Sequence, residues 1–137
     1  MSIWNHPDWK SQNPDIDAEH KKLNQMVMSL SAVVRNDSGI GLDTEAIDIL
    51  LERMRLHFRM EEANADKVDP DACAILREDH ARLLGLLDKV RLSMKQGSRA
   101  ESKENLLTFT SELDRHDREI DIPLFRMMAT SHDPLAH

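Results

Sequence analysis

The apolar positions of this chain fall into four series with steps of three and four residues, the spacing that lines one face of an α-helix. The first reads His20, Leu23, Val27, Leu30 and Val34, and the second Ile47, Leu50, Met54, His57 and Glu61. The third reads Leu76, His80, Leu83, Leu87, Val90 and Met94, and the fourth Leu106, Phe109, Leu113, His116 and Ile120. Punctuation between the series sets their ends. The first helix begins near Pro14 or Asp15, proline being tolerated in a first turn, and ends around Asn36 before the turn Asp37-Ser38-Gly39. A second starts at an Asp43-Thr44 cap and runs to about Ala65, before Val68-Asp69-Pro70 forces a break. The third spans Asp71 to Lys95 and stops at Gly97. Ser98 followed by Glu101 is a capping-box signature for the fourth, which extends to about Ile120 before Pro123 disturbs the turn; a short helix over Leu124 to Ala129 can follow. Four helices of about 20 residues with short connections predict an all-α fold, an antiparallel up-down-up-down four-helix bundle. A single domain over residues 1–137 is expected, with 1–13 an N-terminal arm pinned by Trp4 and Trp9, and 130–137 a C-terminal tail.

Each stripe carries one histidine where a hydrophobe is expected. His20 and His80 come early in their helices and His57 and His116 late, so in an antiparallel bundle the four share one end. A lone histidine on an apolar stripe is more often a hydrogen-bonded core residue than a ligand. Four converging on one interior most readily share a metal, because a buried imidazole must find a partner. Glu61, one turn after His57, stacks on the same face. Asp121 follows His116 by five residues, about 140° away in an ideal helix, and needs an unwound or bulged last turn to swing inward; Pro123 supplies a reason for one. Imidazole nitrogens with carboxylate oxygens suit iron, manganese or zinc, and Glu61 and Asp121 can each bridge two ions. With no cysteine beside the cluster, a structural zinc site or an iron–sulfur cluster is disfavoured and iron leads.

Composition narrows the partners. Lys and Arg number 18 against 25 Asp and Glu, a formal net charge of -7 with no long block of either sign, so nucleic acid and anionic membranes are poor partners and a small neutral or redox ligand fits better. No apolar run approaches the roughly 20 residues that cross a bilayer. The one cysteine, Cys73, cannot form an internal disulfide and is expected to be a small buried residue; the opening MSIWNHPDWK lacks the apolar core of a signal peptide, and a cytoplasmic location is expected. Glu62 is expected on the surface beside Arg55 or Arg59. Met26, Met28, Met54, Met94, Met127 and Met128 are expected as bundle filler, and His6, His132 and His137 as tail residues with no part in the centre. No protein partner is indicated.

Several strings together resemble the bacterial hemerythrins: Asp15-Ile16-Asp17-Ala18-Glu19-His20-Lys21-Lys22-Leu23, then His57-Phe58-Arg59-Met60-Glu61-Glu62, then His80 with Leu83-Leu84, then His116 through Asp121, with Ile3-Trp4 similar to the family's start. The resemblance covers nearly the whole chain. It implies a four-helix bundle with a carboxylate-bridged di-iron centre that binds O2, or NO or peroxide, for carriage, storage or sensing. It also implies that His20 and His57 bind one iron, that His80 and His116 bind the other, and that Glu61 and Asp121 bridge them, giving two irons per chain. Leu23, Phe58, Leu76, Leu113 and Asp117 would line the ligand pocket.

Three residues depart from the family pattern. Leu76 stands where a histidine is usual four residues before His80, Glu112 where tryptophan is usual, and Asp117 where an apolar residue is usual. Glu112 can reach the face of His116 and supply the ligand that Leu76 withdraws, or pair with Arg115; Asp117 by itself is expected to face solvent. Three states stay open: a four-histidine di-iron centre, a Glu112-assisted one, and a single metal on His20, His57, Glu61 and Asp121 or none. The alternative to oxygen binding is a di-iron oxidase or peroxidase-like enzyme in which Glu112 or Asp117 delivers protons. A third is a sensor or interaction module that reports iron or oxygen status to another protein.

Overall fold

Pro14 opens helix α1 (Pro14–Asn36), and Asp15 and Asp17 in its first turn complement the positive end of the helix dipole. The computed structural model describes residues 14–36 and 42–131; the expected arm with Trp4, His6 and Trp9, and His132 and His137 of the tail, lie outside them. After α1 come α2 (Leu42–Asp66), α3 (Pro70–Lys95) and α4 (Arg99–His116), then a π-helical turn (Asp117–Asp121) and α5 (Ile122–Ser131). Helix α1 packs on α2 and α4, α2 on α3, and α3 on α4, which closes the four-helix bundle. There is no strand among the described residues, and no helix among them is long and apolar enough to cross a membrane.

The ends follow the sequence signals with instructive exceptions. Asp69 caps α3, its carboxylate accepting from the amides of Asp71 at 3.0 Å and Ala72 at 3.4 Å with Pro70 at the first helical position, an arrangement worth about 1 kcal/mol. Helix α3 closes on Gly97 at φ 77°, with the Gly97 amide donating to the Met94 carbonyl and the Ser98 amide to the Ser93 carbonyl. Glycine adopts this left-handed conformation without steric cost. That closure explains why the expected capping box is missing. A box needs the Ser98 amide free for Glu101, but it is already spent on Ser93, and Ser98 makes no side-chain cap bond. Ser102 instead donates to the Ser98 carbonyl from both its amide, at 3.0 Å, and its hydroxyl, at 2.7 Å. Helix α2 begins at Leu42, ahead of the Asp43-Thr44 pair expected to cap it.

Pro123 does not stop the chain's helical course. In a regular α-helix its ring would meet the Glu119 carbonyl, and here the preceding five residues widen into the π turn, closed by the Ile122 amide donating to the Asp117 carbonyl. The helix therefore continues into α5.

Two apolar clusters result. The larger fills the middle of the bundle and includes Leu23, Leu50, Phe58, Leu83, Phe109 and Leu113; the smaller comprises Ile16, Ala65, Cys73, Leu76 and Phe125 at the end where α1 and α3 start. Each fully buried aliphatic side chain contributes about 1.5–3 kcal/mol relative to exposure. Cys73 is buried as expected. Met54 is core, whereas Met28 and Met127 are 53% and 50% exposed and lie outside it.

Candidate metal centre

Between the two apolar clusters lies a polar layer. The inward stripes deliver His20 from α1, His57 and Glu61 from α2, His80 from α3 and His116 from α4, all buried. The rings form two pairs of equal spacing, His20 with His57 and His80 with His116, each 4.9 Å between centroids. Glu61 lies between them: its Oε1 is 3.1 Å from His57 Nε2 and 3.5 Å from His80 Nε2, and its Oε2 is 3.5 Å from His20 Nε2.

The π turn completes the layer. Its bonds reach five residues back, so it holds more than four residues per turn and residues four apart share a face. Asp117 and Asp121 both turn inward and are buried. Asp121 Oδ2 comes within 2.7 Å of His20 Nε2, as the expected bulge before Pro123 requires. The solvent-facing Asp117 read from the sequence is corrected: it follows Leu113 by four residues and its amide donates to the Leu113 carbonyl, so α4 itself carries it on the inward face.

Three overlapping sets of ligand-type atoms lie within 4.8 Å of one another: His20, His57, Glu61 and Asp121; Glu61, His80 and His116; and His116, Asp117 and Asp121. Both oxygens of Glu61 and of Asp121, Nε2 of His80 and of His116, and Asp117 Oδ2 are buried with no hydrogen-bond partner. The close N···O approaches in the layer are thus not aligned as hydrogen bonds. Each such orphan costs about 1–3 kcal/mol, and this donor set of imidazole nitrogens and carboxylate oxygens is the kind that a cation satisfies. The residues fit a metal.

Carboxylates outside the layer orient two of the histidines. Glu62 Oε2 accepts from His80 Nδ1 at 2.7 Å and Asp79 Oδ2 from His116 Nδ1 at 2.5 Å, which turns each Nε2, stripped of its proton, toward the interior. Asp79 is itself gripped by Arg82 through Nε at 3.1 Å and Nη2 at 3.0 Å. Arg82 Nη1 also reaches Glu112 Oε2 at 3.2 Å, with Arg115 Nη1 at 3.8 Å. Glu112 is therefore not brought into any of the three sets. It anchors the outer end of a chain from His116 through Asp79 and Arg82, because the guanidinium at the α3–α4 seam attracts it more than a buried layer already rich in carboxylates. Glu62 sits beside Arg77, at 3.4 Å from its Nε, and His80 rather than near Arg55 or Arg59.

The pocket residues divide around the layer. Phe58 stacks on His80 with centroids 3.9 Å apart and planes 4° from parallel; with Leu23 and Leu113 it belongs to the large cluster. Leu76, 0% exposed, is on the other side with Ile16, Cys73 and Phe125.

Electrostatics sort the acids. Burial raises Asp121 well above the usual carboxylate range, with the neighbouring Glu61 adding to it. Asp117 is pushed up to about 8 by burial, with His20 opposing and Glu61 and Asp114 reinforcing. Glu61 is held well below its ordinary value because His57 and His20 outweigh its burial. His20 is raised well above the ordinary histidine value: burial pulls it down, but Asp117, Asp121 and Glu61 outweigh that. His116 is lowered, by burial first and His80 next. Burial pushes Asp79 up, but His116 and Arg82 prevail and lower it.

Glu62 and Asp79 are the members of this arrangement whose roles sequence reasoning missed. Asp79 immediately precedes His80, which sets it about 100° round α3 on the flank facing α4; that adjacency was the available signal.

A family model described as the hemerythrin HHE cation-binding domain matches residues 13–128. No curated protein and no solved structure matches the chain.

Proposed function

The chain belongs to the hemerythrin HHE cation-binding family, and from that premise we propose that its buried layer binds non-haem iron as a carboxylate-bridged pair and that the loaded protein binds O2. The observation that carries this reading is the sharing of carboxylates. Glu61 belongs both to the set with His20 and His57 and to the set with His80 and His116, and Asp121 belongs both to the first set and to the set with His116. Two oxygens on each side chain, fully buried and without hydrogen bonds, are what bridging two cations requires. In this reading His20 and His57 hold one iron and His80 and His116 the other.

Iron in such a site supplies a change of oxidation state and an open position for a small ligand such as O2, NO or peroxide. The protein's part is to hold and to exclude. Leu23, Phe58 and Leu113 cover the layer with hydrocarbon, and Phe58 packed flat on His80 fixes that ring. Glu62 and Asp79 keep the outer protons of His80 and His116 on Nδ1, so that Nε2 stays available to the metal. Asp79→Asn is expected to weaken iron binding by about 10–100-fold, read by competition with a chromogenic chelator. Unchanged affinity would show that the Asp79–His116 contact is incidental.

The test of the function is anaerobic loading with Fe(II) followed by visible spectroscopy on adding oxygen. Charge-transfer bands that appear with O2 and reverse on degassing are expected. Rapid bleaching to a ferric spectrum with peroxide consumption would instead establish the oxidase or peroxidase-like enzyme. That second reading draws on Asp117, a buried carboxyl that holds its proton near neutral pH in the metal-free chain, since Glu112 is tied outward to Arg82. A chain that takes up no iron would refute both.

A further inference from the structure

The two halves of the layer are unequal in an informative way. His20 and His57 meet Glu61 and Asp121 in one four-residue set, whereas His80 and His116 share a set with Glu61 alone. One helical turn before His80, where a side chain would point into the layer's His80 half, stands Leu76, which has no donor atom and is committed to the apolar cluster with Ile16, Cys73 and Phe125. A further ligand-type side chain stands at the end of α4, the neighbour of α3. Asp117 lies within 4.8 Å of His116 and Asp121 in ligand-type atoms, its side chain is buried, and its Oδ2 has no hydrogen-bond partner. His20 attracts its charge while Glu61 and Asp114 repel it, and a buried carboxyl oxygen without a hydrogen bond is costly for a fold to keep.

We propose that Asp117 is a terminal ligand of the metal held by His80 and His116, taking the coordination position that Leu76 leaves without a donor. Asp117 reaches the interior as the continuation of the α4 stripe, four residues after Leu113, and the π turn brings Asp121, five residues after His116, round to the same interior. His116, Asp117 and Asp121 then form a local ligand set on six consecutive residues, with Asp121 reaching across to the other half. The substitution changes the character of the site: a neutral imidazole donor is absent, and an anionic oxygen donor stands in. Three buried carboxylates, Glu61, Asp117 and Asp121, offset more of the charge of two divalent cations than the two bridges would alone. A harder, anionic donor also favours the higher oxidation state of the iron it binds, so the two metals of one centre are inequivalent in both ligand set and redox preference.

This inference rests on the iron-binding reading, and the test separates the two. The wild-type chain, Asp117→Asn, and Asp117→Asn combined with Leu76→His are loaded anaerobically with Fe(II), desalted, and assayed for iron per chain, with circular dichroism to establish that each is folded. Asparagine is isosteric and removes a buried ionisable group, so the variant keeps the bundle. The expected stoichiometry is two for the wild type, one for Asp117→Asn, and two again once Leu76→His restores a donor to the same metal. No iron in the wild type overturns the iron-binding reading itself. One iron in the wild type, two in Asp117→Asn, or a double variant that stays at one overturns the role of Asp117 while leaving bound iron intact.

Discussion

On the proposed di-iron reading, replacing Glu61 with glutamine is expected to empty the layer of metal and to abolish any stabilisation of the fold by added iron. Glu61 is the fully buried carboxylate within reach of three of the four histidines, and its charge is strongly favoured there despite burial. Glutamine keeps the shape and withdraws the charge together with one oxygen, so neither half retains its shared anionic donor. The size of the effect follows from linkage. A ligand present at about 1,000 times its dissociation constant stabilises the native state by about 4 kcal/mol. For a bundle of this size that corresponds to roughly 10–20 °C in melting temperature. The wild type is expected to show such a rise between its metal-free and iron-loaded forms, measured by thermal denaturation under anaerobic conditions. Glu61→Gln is expected to melt at the same temperature with and without iron. A variant that still gains ten degrees from iron would remove Glu61 from the centre.

The second large effect is a reversal in pH dependence between the metal-free and the loaded protein. In the metal-free chain Asp117 titrates at about 8, far above an unfolded aspartate, so between those values the folded state holds a proton that the unfolded state has released. Stability then falls as pH rises, at about 1.4 kcal/mol per pH unit, or roughly 2 kcal/mol between pH 6.5 and 8. Asp121 and His20, both raised, act in the same direction: the stability that His20 contributes is full below its ordinary value of 6.5 and is lost as pH rises through its folded value. Three groups oppose this, all in more acid solution. The lowered His116 gives stability with rising pH only up to 6.5, and the depressed Glu61 and Asp79 contribute stability that is lost as pH falls through their low folded values. Metal binding removes these protons, so affinity grows with pH as they leave. The metal-free protein should therefore lose stability to denaturant from pH 6.5 to 8 while the gain on adding iron widens. Asp117→Asn should flatten the metal-free slope by about 1 kcal/mol per pH unit. A metal-free slope that rises over this window would contradict the buried acid layer.

The bundle was legible because its evidence is periodic. Four inward stripes, a glycine at the end of α3 and an aspartate-proline pair at its start are local signals, and each predicts its own neighbourhood. The histidine layer was legible for the same reason, since a histidine inside a three-four series inherits the direction of the hydrophobes around it. Asp117 stands four residues after Leu113, on the same inward face, but its charge argued for solvent and hid that direction. Pro123 announced a disturbance at Asp121, and the remedy is a wider turn that brings Asp121 round to His116. Asp79 and Glu62 were obscured differently. They lie on the flanks between helices, where the side chain that meets them comes from another part of the chain, and a single-helix pattern carries no trace of the pairing. Glu112 was half legible: of its two readings the pairing with Arg115 is the one present, whereas its contact with Arg82, from another helix, left no trace in a single-helix pattern.

The π turn also places the centre in time. Its two aspartates follow His20 by about a hundred residues of chain, and they arrive together, after every histidine of the layer has been made. While a ribosome is still extending the chain toward them, the nascent protein carries imidazoles and a single buried-type carboxylate but no second bridge. Metal taken up at that stage would meet a nitrogen-rich site of another preference. On the proposed reading, the full ligand set therefore exists only once the π turn has been made.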